Sequence, residues 1–327
     1  MGMGWYTLRR NKLTTDTSLL RLPARTAGVF VFFMLMFSPG ELMAQKSPDP
    51  LADRQVIAGP SVSSDTSIQL NPVVWEYIET YRSRAGLNYI SRSLKNARPY
   101  RDFIVRTLAE YRLPRELKYL ALIESNFDAR AVSRSGAVGI WQFMENSVED
   151  WMVISEWVDE RRDFQRSTVA AAEKLAHNFT ELEDWLLAIA AYNAGLGHVQ
   201  RAMESEGTSD FWELAEAGVL PDQTVDYVPK FLAITWIAER GGRHGLPADW
   251  LPPLRWTRVW FPGGTSLEDL ADELGIDSDA LYSWNVHLNE PVIPEGVARY
   301  PLNIPESLEE PARAAARLRG VPEQRLP

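Results

Sequence analysis

Glu124 is the residue whose position asks for an explanation. In "LPRELKYLALIESNF", Leu113 to Phe127, Pro114 stands where the first turn of a helix tolerates proline. Leu117, Leu120, Ala121 and Glu124 then recur at three- and four-residue steps, so a helix places the carboxyl group on an apolar stripe. Tyr119, Leu122 and Ile123, on the other side, are apolar too, which predicts a helix buried on most sides. Burial disfavours the charged form of a carboxyl group and raises its pKa, here to about 6. A general acid working near neutral pH needs that property. The other reading is a structural ion pair, with Arg130, Arg134 or Arg161 as partner. The helix alone leaves both open.

Composition narrows the chemistry. The 327 residues carry 34 Lys+Arg against 44 Asp+Glu, a net charge of -10. That balance argues against nucleic acid or an anionic membrane surface as the main partner. There are no cysteines, so disulfides, thiolate metal sites, cysteine nucleophiles and a lipid anchor on an N-terminal cysteine are all excluded. His177, His198, His244 and His287 are scattered without metal-ligand spacing, so neither a metal nor a cofactor is expected.

The elements that must position Glu124 follow along the chain. Arg9, Arg10, Lys12, Arg21 and Arg25 precede the apolar run "AGVFVFFMLMF", and small Ala44 follows, which together describe a secretory signal peptide over residues 1–44. The alternative is a retained anchor, although the run is short for a membrane span. Cleavage would remove five basic and two acidic residues, leaving 29 against 42, or -13. Residues 45–70 are rich in Pro, Ser and Asp and read as a linker. Helical periodicity starts near Val73, giving an N-terminal helical extension over 71–112 and a helical domain over 113–240. Only Gly136 to Met144 reads as turns or short strands. Residues 241–254, dense in Gly and Pro, read as a second linker that few contacts should cross. A small unit follows over 255–305, and the charged tail over 306–327 is expected to fray.

Four blocks in order resemble the lytic murein transglycosylases, most closely the membrane-bound type D branch. They are "ESNF" at Glu124, "SRSGAVGIWQFM" from Ser133, "WVDERRDFQRST" from Trp157, and "AAYNAG" from Ala190 followed by "YVPKFLA" from Tyr227. The resemblance implies a mainly α-helical, lysozyme-like fold of the goose type with a small β-turn element. It implies Glu124 as the catalytic acid and then base. Ser133, Gln142, Tyr192, Asn193 and Tyr227 match residues lining the sugar cleft. Trp141, Phe143 and Met144 read instead as core or cleft wall, and "DERRD" as a structural ion-pair network. Gln223 stands where the family commonly has a glutamate, and "ENSVEDWMVISEW" departs from its usual segment.

The partner so implied is the glycan strand of peptidoglycan, met by an exported, monomeric protein in the periplasm or cell envelope. Ordinary glycoside hydrolases use two carboxylates. The blocks supply one, and the resemblance implies the non-hydrolytic route, in which a hydroxyl of the substrate closes a 1,6-anhydro ring. A hydrolytic muramidase and a non-catalytic wall-binding scaffold are the alternatives. "GGTSLEDLADELGIDSDALYSWN", Gly263 to Asn285, with "YPLNIPE" after it, resembles a degenerate LysM module. A packing domain without glycan affinity is the other reading of that unit, and Glu268, Asp269, Asp272 and Glu273 read as a solvated helix face.

Overall fold

The computed structural model describes residues 71–148, 151–244, 246 and 253–321, all of them in one compact unit. The expected signal segment and first linker lie outside the described residues, as does most of residues 245–252. Among the described residues no helix is long and apolar enough to cross a membrane.

Helices dominate, and their starts are written in the sequence. Asn71 caps α1 (Pro72–Arg82), accepting from the Val74 N–H at 2.9 Å, with proline in the first turn. Ser83 caps α2 (Arg84–Asn96), and α3 (Arg101–Glu110) follows. Residues Arg115–Tyr119 form a 3-10 turn that leads into the short α4 (Leu120–Ser125). One continuous helix was expected here. The fixed φ of Pro114, the cap residue of the 3-10 turn, starts the tighter winding before α4 opens to α geometry. Leu117, Leu120 and Ala121 are nonetheless fully buried, as the stripe predicts, and so is Leu122 on the other side.

Asp163 caps α5 (Phe164–Leu182), accepting from the N–H groups of Gln165 and Arg166. Asp184 caps α6 (Trp185–Ala194), which is buried almost all round and forms the centre of the larger core. Then come α7 (Leu196–Glu206), α8 (Phe211–Glu216) and the long α9 (Asp222–Glu239), which packs along α1 and α6.

A second, smaller core belongs to the C-terminal part. Its order is β1 (Trp256–Pro262), α10 (Leu267–Leu274), α11 (Ser278–Trp284) and β2 (Arg299–Pro305). The strands pair antiparallel, Trp256 opposite Pro305 and Pro262 opposite Arg299. Asn285, fully buried, holds β2 by accepting from the Asn303 N–H at 2.7 Å. Residues Glu309–Leu318 form α12 rather than a frayed tail. Ala312, Ala315 and Ala316 make a small apolar stripe that seats it on the second core.

Many contacts join this part to the helical body, against the expectation of few. Tyr300 Oη donates to buried Glu160 at 2.9 Å, and the Asp159 N–H donates to the His287 carbonyl at 2.8 Å. Arg258 pairs with Asp163, the cap of α5, and Trp256 Nε1 donates to the Pro99 carbonyl. Val158, from the helical body, lies in the smaller core. The "WVDERRD" stretch is thus a structural network, as read from the sequence, and it forms the seam between the two cores.

Candidate active site

Glu124 sits one residue from the end of α4, where the chain turns sharply. Asn126 and Phe127 both take left-handed backbone conformations, φ 57° and 58°, a rare pairing for residues with side chains. The turn is held from outside. The Ser93 hydroxyl donates to the Asn126 side chain at 2.8 Å, and the Ser125 hydroxyl reaches the Ile140 carbonyl at 3.0 Å. The second bond ties α4 to the turn segment behind it.

That segment is built from isolated bridges, Val132 with Val138 and Val138 with Phe143. Gly139 has φ +82°, and a Cβ there would lie 2.0 Å from the Arg161 carbonyl oxygen, so only glycine fits. Trp141 and Phe143 are buried, with Trp141 Nε1 donating to Thr168 of α5 at 2.9 Å, while Met144 is exposed. The sequence reading as core holds for Trp141 and Phe143, whereas Met144 lies on the surface.

Around Glu124 the structure gathers groups from three helices. Tyr227 of α9 donates its hydroxyl to Glu124 Oε1 at 2.5 Å. Tyr192 of α6 donates to the Trp141 carbonyl at 2.9 Å. Lys174 of α5 donates to the Tyr192 carbonyl at 3.0 Å, with Nζ 4.5 Å from the centre of the Tyr192 ring. Glu124 remains partly reachable by solvent, yet the surrounding protein strips most of its hydration and pushes its pKa up to about 7. The Tyr227 hydrogen bond and then the Lys174 charge act in the opposite direction. Burial, followed by the neighbouring carboxylate, raises the Tyr192 and Tyr227 hydroxyls well above the ordinary tyrosine value.

The three arginines considered as ion-pair partners are occupied elsewhere or absent from this set. Arg161 forms a two-point pair with Asp159, at 2.9 and 2.8 Å, and Arg130 lies over the Tyr282 ring.

The remaining expected residues divide. Asn193 accepts from the buried Thr224 hydroxyl at 2.8 Å, which orients its amide. Gln142, at φ 51°, donates from its side-chain amide to the Gly139 carbonyl at 2.8 Å. Ser133 spends its hydroxyl within its own turn, accepting from the Ala137 N–H at 3.0 Å and pairing with Ser135 at 2.9 Å. Sequence reasoning passed over Lys174 and Thr224. A signal for Lys174 existed: it lies three and four residues from Ala171, Ala170 and Asn178, all buried. Among the described residues no group of three or more His, Asp or Glu is placed to hold a metal ion.

Residues 103–215 match the family model of the Transglycosylase SLT domain. Glu124, Ser133, Gln142, Lys174, Tyr192 and Asn193 fall inside that segment, and Tyr227 lies beyond it. The chain is 32% identical over 205 residues to the membrane-bound lytic murein transglycosylase D of Escherichia coli K12, covering 61% of this chain and 44% of that one. It is 36% identical over 88 residues to the membrane-bound lytic murein transglycosylase F of Desulfosudis oleivorans, 25% of this chain and 18% of that one. The chain thus spans less than half the length of these curated relatives. Among solved structures, lytic transglycosylase Slt of Pseudomonas aeruginosa, in an inactive mutant form, superposes with a TM-score of 0.38 at 23% identity over 46% of this chain and 26% of that one.

Proposed function

We propose that this chain is a peptidoglycan lytic transglycosylase and that Glu124 is its single acid and base. One observation carries the reading: Glu124, near the end of α4, accepts a hydrogen bond from the Tyr227 hydroxyl at 2.5 Å, in surroundings that push its carboxyl group up to about 7. The similarity to murein transglycosylases D and F supports the substrate class.

In the proposed reaction Glu124 gives its proton to the glycosidic oxygen between N-acetylmuramic acid and N-acetylglucosamine as the bond to the anomeric carbon breaks. The acetamido group assists at that carbon. The muramoyl C6 hydroxyl then bonds to the anomeric carbon and returns its proton to the Glu124 carboxylate, giving a 1,6-anhydro end and consuming no water. A nucleophile tethered to the same ring has a large effective concentration, which makes a second catalytic carboxylate unnecessary. Tyr192, Asn193, Gln142, Tyr227 and the Ser133 turn are proposed to line the sugar path. Thr224 holds the Asn193 oxygen, so the amide nitrogen is the end offered to the sugar.

The coarser architecture goes with this reading. Residues 1–44 direct export to the periplasm or envelope, 45–70 link, 71–112 extend the helical domain 113–240, and 255–305 form a LysM-like unit on a monomeric protein. The β1-α10-α11-β2 order and the buried Asn285 support the LysM-like assignment.

Digestion of purified sacculi, followed by mass spectrometry of the soluble fragments, tests the function. Muropeptides lighter by one water, with anhydro ends, are expected. Reducing ends would instead establish a hydrolytic muramidase, and no release at all a wall-binding scaffold. Glu124→Gln should lower release by about 10²–10⁴-fold while the protein stays folded.

A further inference from the structure

Lys174 is a cation placed where a helix surface would not ordinarily keep one. Its Nζ donates to the Tyr192 carbonyl at 3.0 Å, and lies 4.5 Å from the Tyr192 ring centre and 5.8 Å from that of Phe143. The carbonyl and the two aromatic faces replace part of the water that an ammonium group loses on burial. The charged or titratable groups that face Glu124 are Tyr227 from α9, Tyr192 from α6 and Lys174 from α5. Lys174 is the cation of that set. Burial pulls its pKa down, and the Glu124 charge pulls it back up.

We propose that Lys174 is a positioning residue for the lytic reaction, fixing the Tyr192 backbone and supplying the positive charge against which Glu124 gives up its proton and waits to recover it. The proposal rests on the reading of Glu124 as acid and then base. With Lys174 present, the site passes from one positive charge to a neutral pair when Glu124 donates. Without it, the same step leaves a lone carboxylate in a poorly hydrated place, which is costly. The carbonyl contact matters as much as the charge. Tyr192 sits between Trp141, to which its hydroxyl donates, and Asn193, the next residue. One lysine therefore ties the aromatic wall and, through the Tyr192 backbone, the adjoining Asn193 to α5.

The experiment compares Lys174→Met and Lys174→Arg with wild type in the full chain. Two readouts are the pH profile of soluble-fragment release from sacculi and the titration of the Glu124 carboxyl carbon by NMR. The methionine variant should titrate Glu124 at least about one pH unit higher. Its alkaline limb of activity should move up with that titration, and release at neutral pH should drop at least tenfold. Arginine should bring the titration and the limb back to near the wild-type position. A folded methionine variant with Glu124 and the limb unmoved would overturn the proposal, as would equal loss in both variants with no change of profile. If the methionine variant does not fold, the arginine variant decides. Titration within a few tenths of a unit of wild type supports a charge role, and a full-unit shift refutes it. Failure of the functional reading looks different. Glu124→Gln would then retain activity, or anhydro ends would be absent, whatever the lysine variants do to the Glu124 titration.

Discussion

The Tyr227 hydroxyl donates to Glu124 Oε1 at 2.5 Å, joining residues 103 positions apart. The donor lies outside the segment 103–215 that matches the transglycosylase model, so the helix beyond that segment completes the environment of the acid. A hydroxyl in this place favours the carboxylate over the carboxylic acid. It counters the burial that drives Glu124 upward.

Tyr227→Phe removes that counterweight without changing the packing volume by much. Glu124 should titrate about one to two units higher, because a hydrogen bond to a charged group is worth about 1.5–3 kcal/mol. Release from sacculi at neutral pH should fall about tenfold, with the alkaline limb displaced upward. Activity unchanged across the pH range would exclude the bond from the working site.

Glu124 also leaves a mark on stability. Its folded pKa, about 7, lies above its ordinary value of 4.5, so the folded state holds the proton more tightly. The contribution is fully present below the unfolded value and is lost as pH rises through the folded one. Wild type should therefore lose about 1–3 kcal/mol between pH 5 and 8 relative to Glu124→Gln. Thermal melts of both proteins at the two pH values measure it, and parallel behaviour would contradict the buried acid.

His287 titrates in the opposite sense. It is fully buried, and neither ring nitrogen finds a hydrogen-bond partner among the described residues. Burial first, with Arg258 and Arg166 adding to it and Asp163 opposing it, drives the pKa down to about 4 from 6.5. The unfolded chain thus binds a proton that the folded one refuses, and stability falls as pH drops from 6.5 towards 4. Replacing His287 with phenylalanine should flatten the melting-temperature profile in that window. An unaltered acid limb would place the sensitivity elsewhere.

Truncation at residue 254 should lower the melting temperature and reduce turnover of sacculi and of short soluble glycans together. The deletion strips Arg258 from Asp163 and Tyr300 from Glu160, two carboxylates that are nearly inaccessible. Arg258→Ala isolates one part of this effect, since breaking a buried pair costs about 3–5 kcal/mol. Retention on sacculi lost by the truncated protein, with stability and soluble turnover intact, would show instead a detachable glycan-binding module.

Gly139→Ala should be strongly destabilising. Both the positive φ and the 2.0 Å approach to the Arg161 carbonyl oppose any side chain there. A loss of several kcal/mol, read as a drop in urea midpoint, is expected.

Much of the site was legible because helical spacing is a local property. The stripe from Leu117 to Glu124 and the turn around Gly139 follow from short-range pattern. What escaped was long-range. The pairing of Arg161 with Asp159 is local and agrees with the ion-pair reading of "DERRD", but no local signal brings Tyr227, 103 positions on, to the Glu124 carboxyl group. The 3-10 winding after Pro114 also escaped, because apolar spacing tolerates either helix over a single turn. The C-terminal seam was misjudged for a different reason. Glycine and proline mark a change of local geometry, and they say nothing of whether the chain then folds back onto what precedes it.

The pairing of Arg258 with Asp163 has a consequence for the order in which the protein is made. The two residues are 95 positions apart, and the carboxylate comes first. At about 5–20 residues per second, the arginine is added about 5–20 s after the aspartate. Throughout that interval Asp163 must cap α5 with no counter-charge from β1. Until β1 joins it the start of α5 therefore lacks its cation, and gains that counter-charge only when the C-terminal part folds onto the helical body.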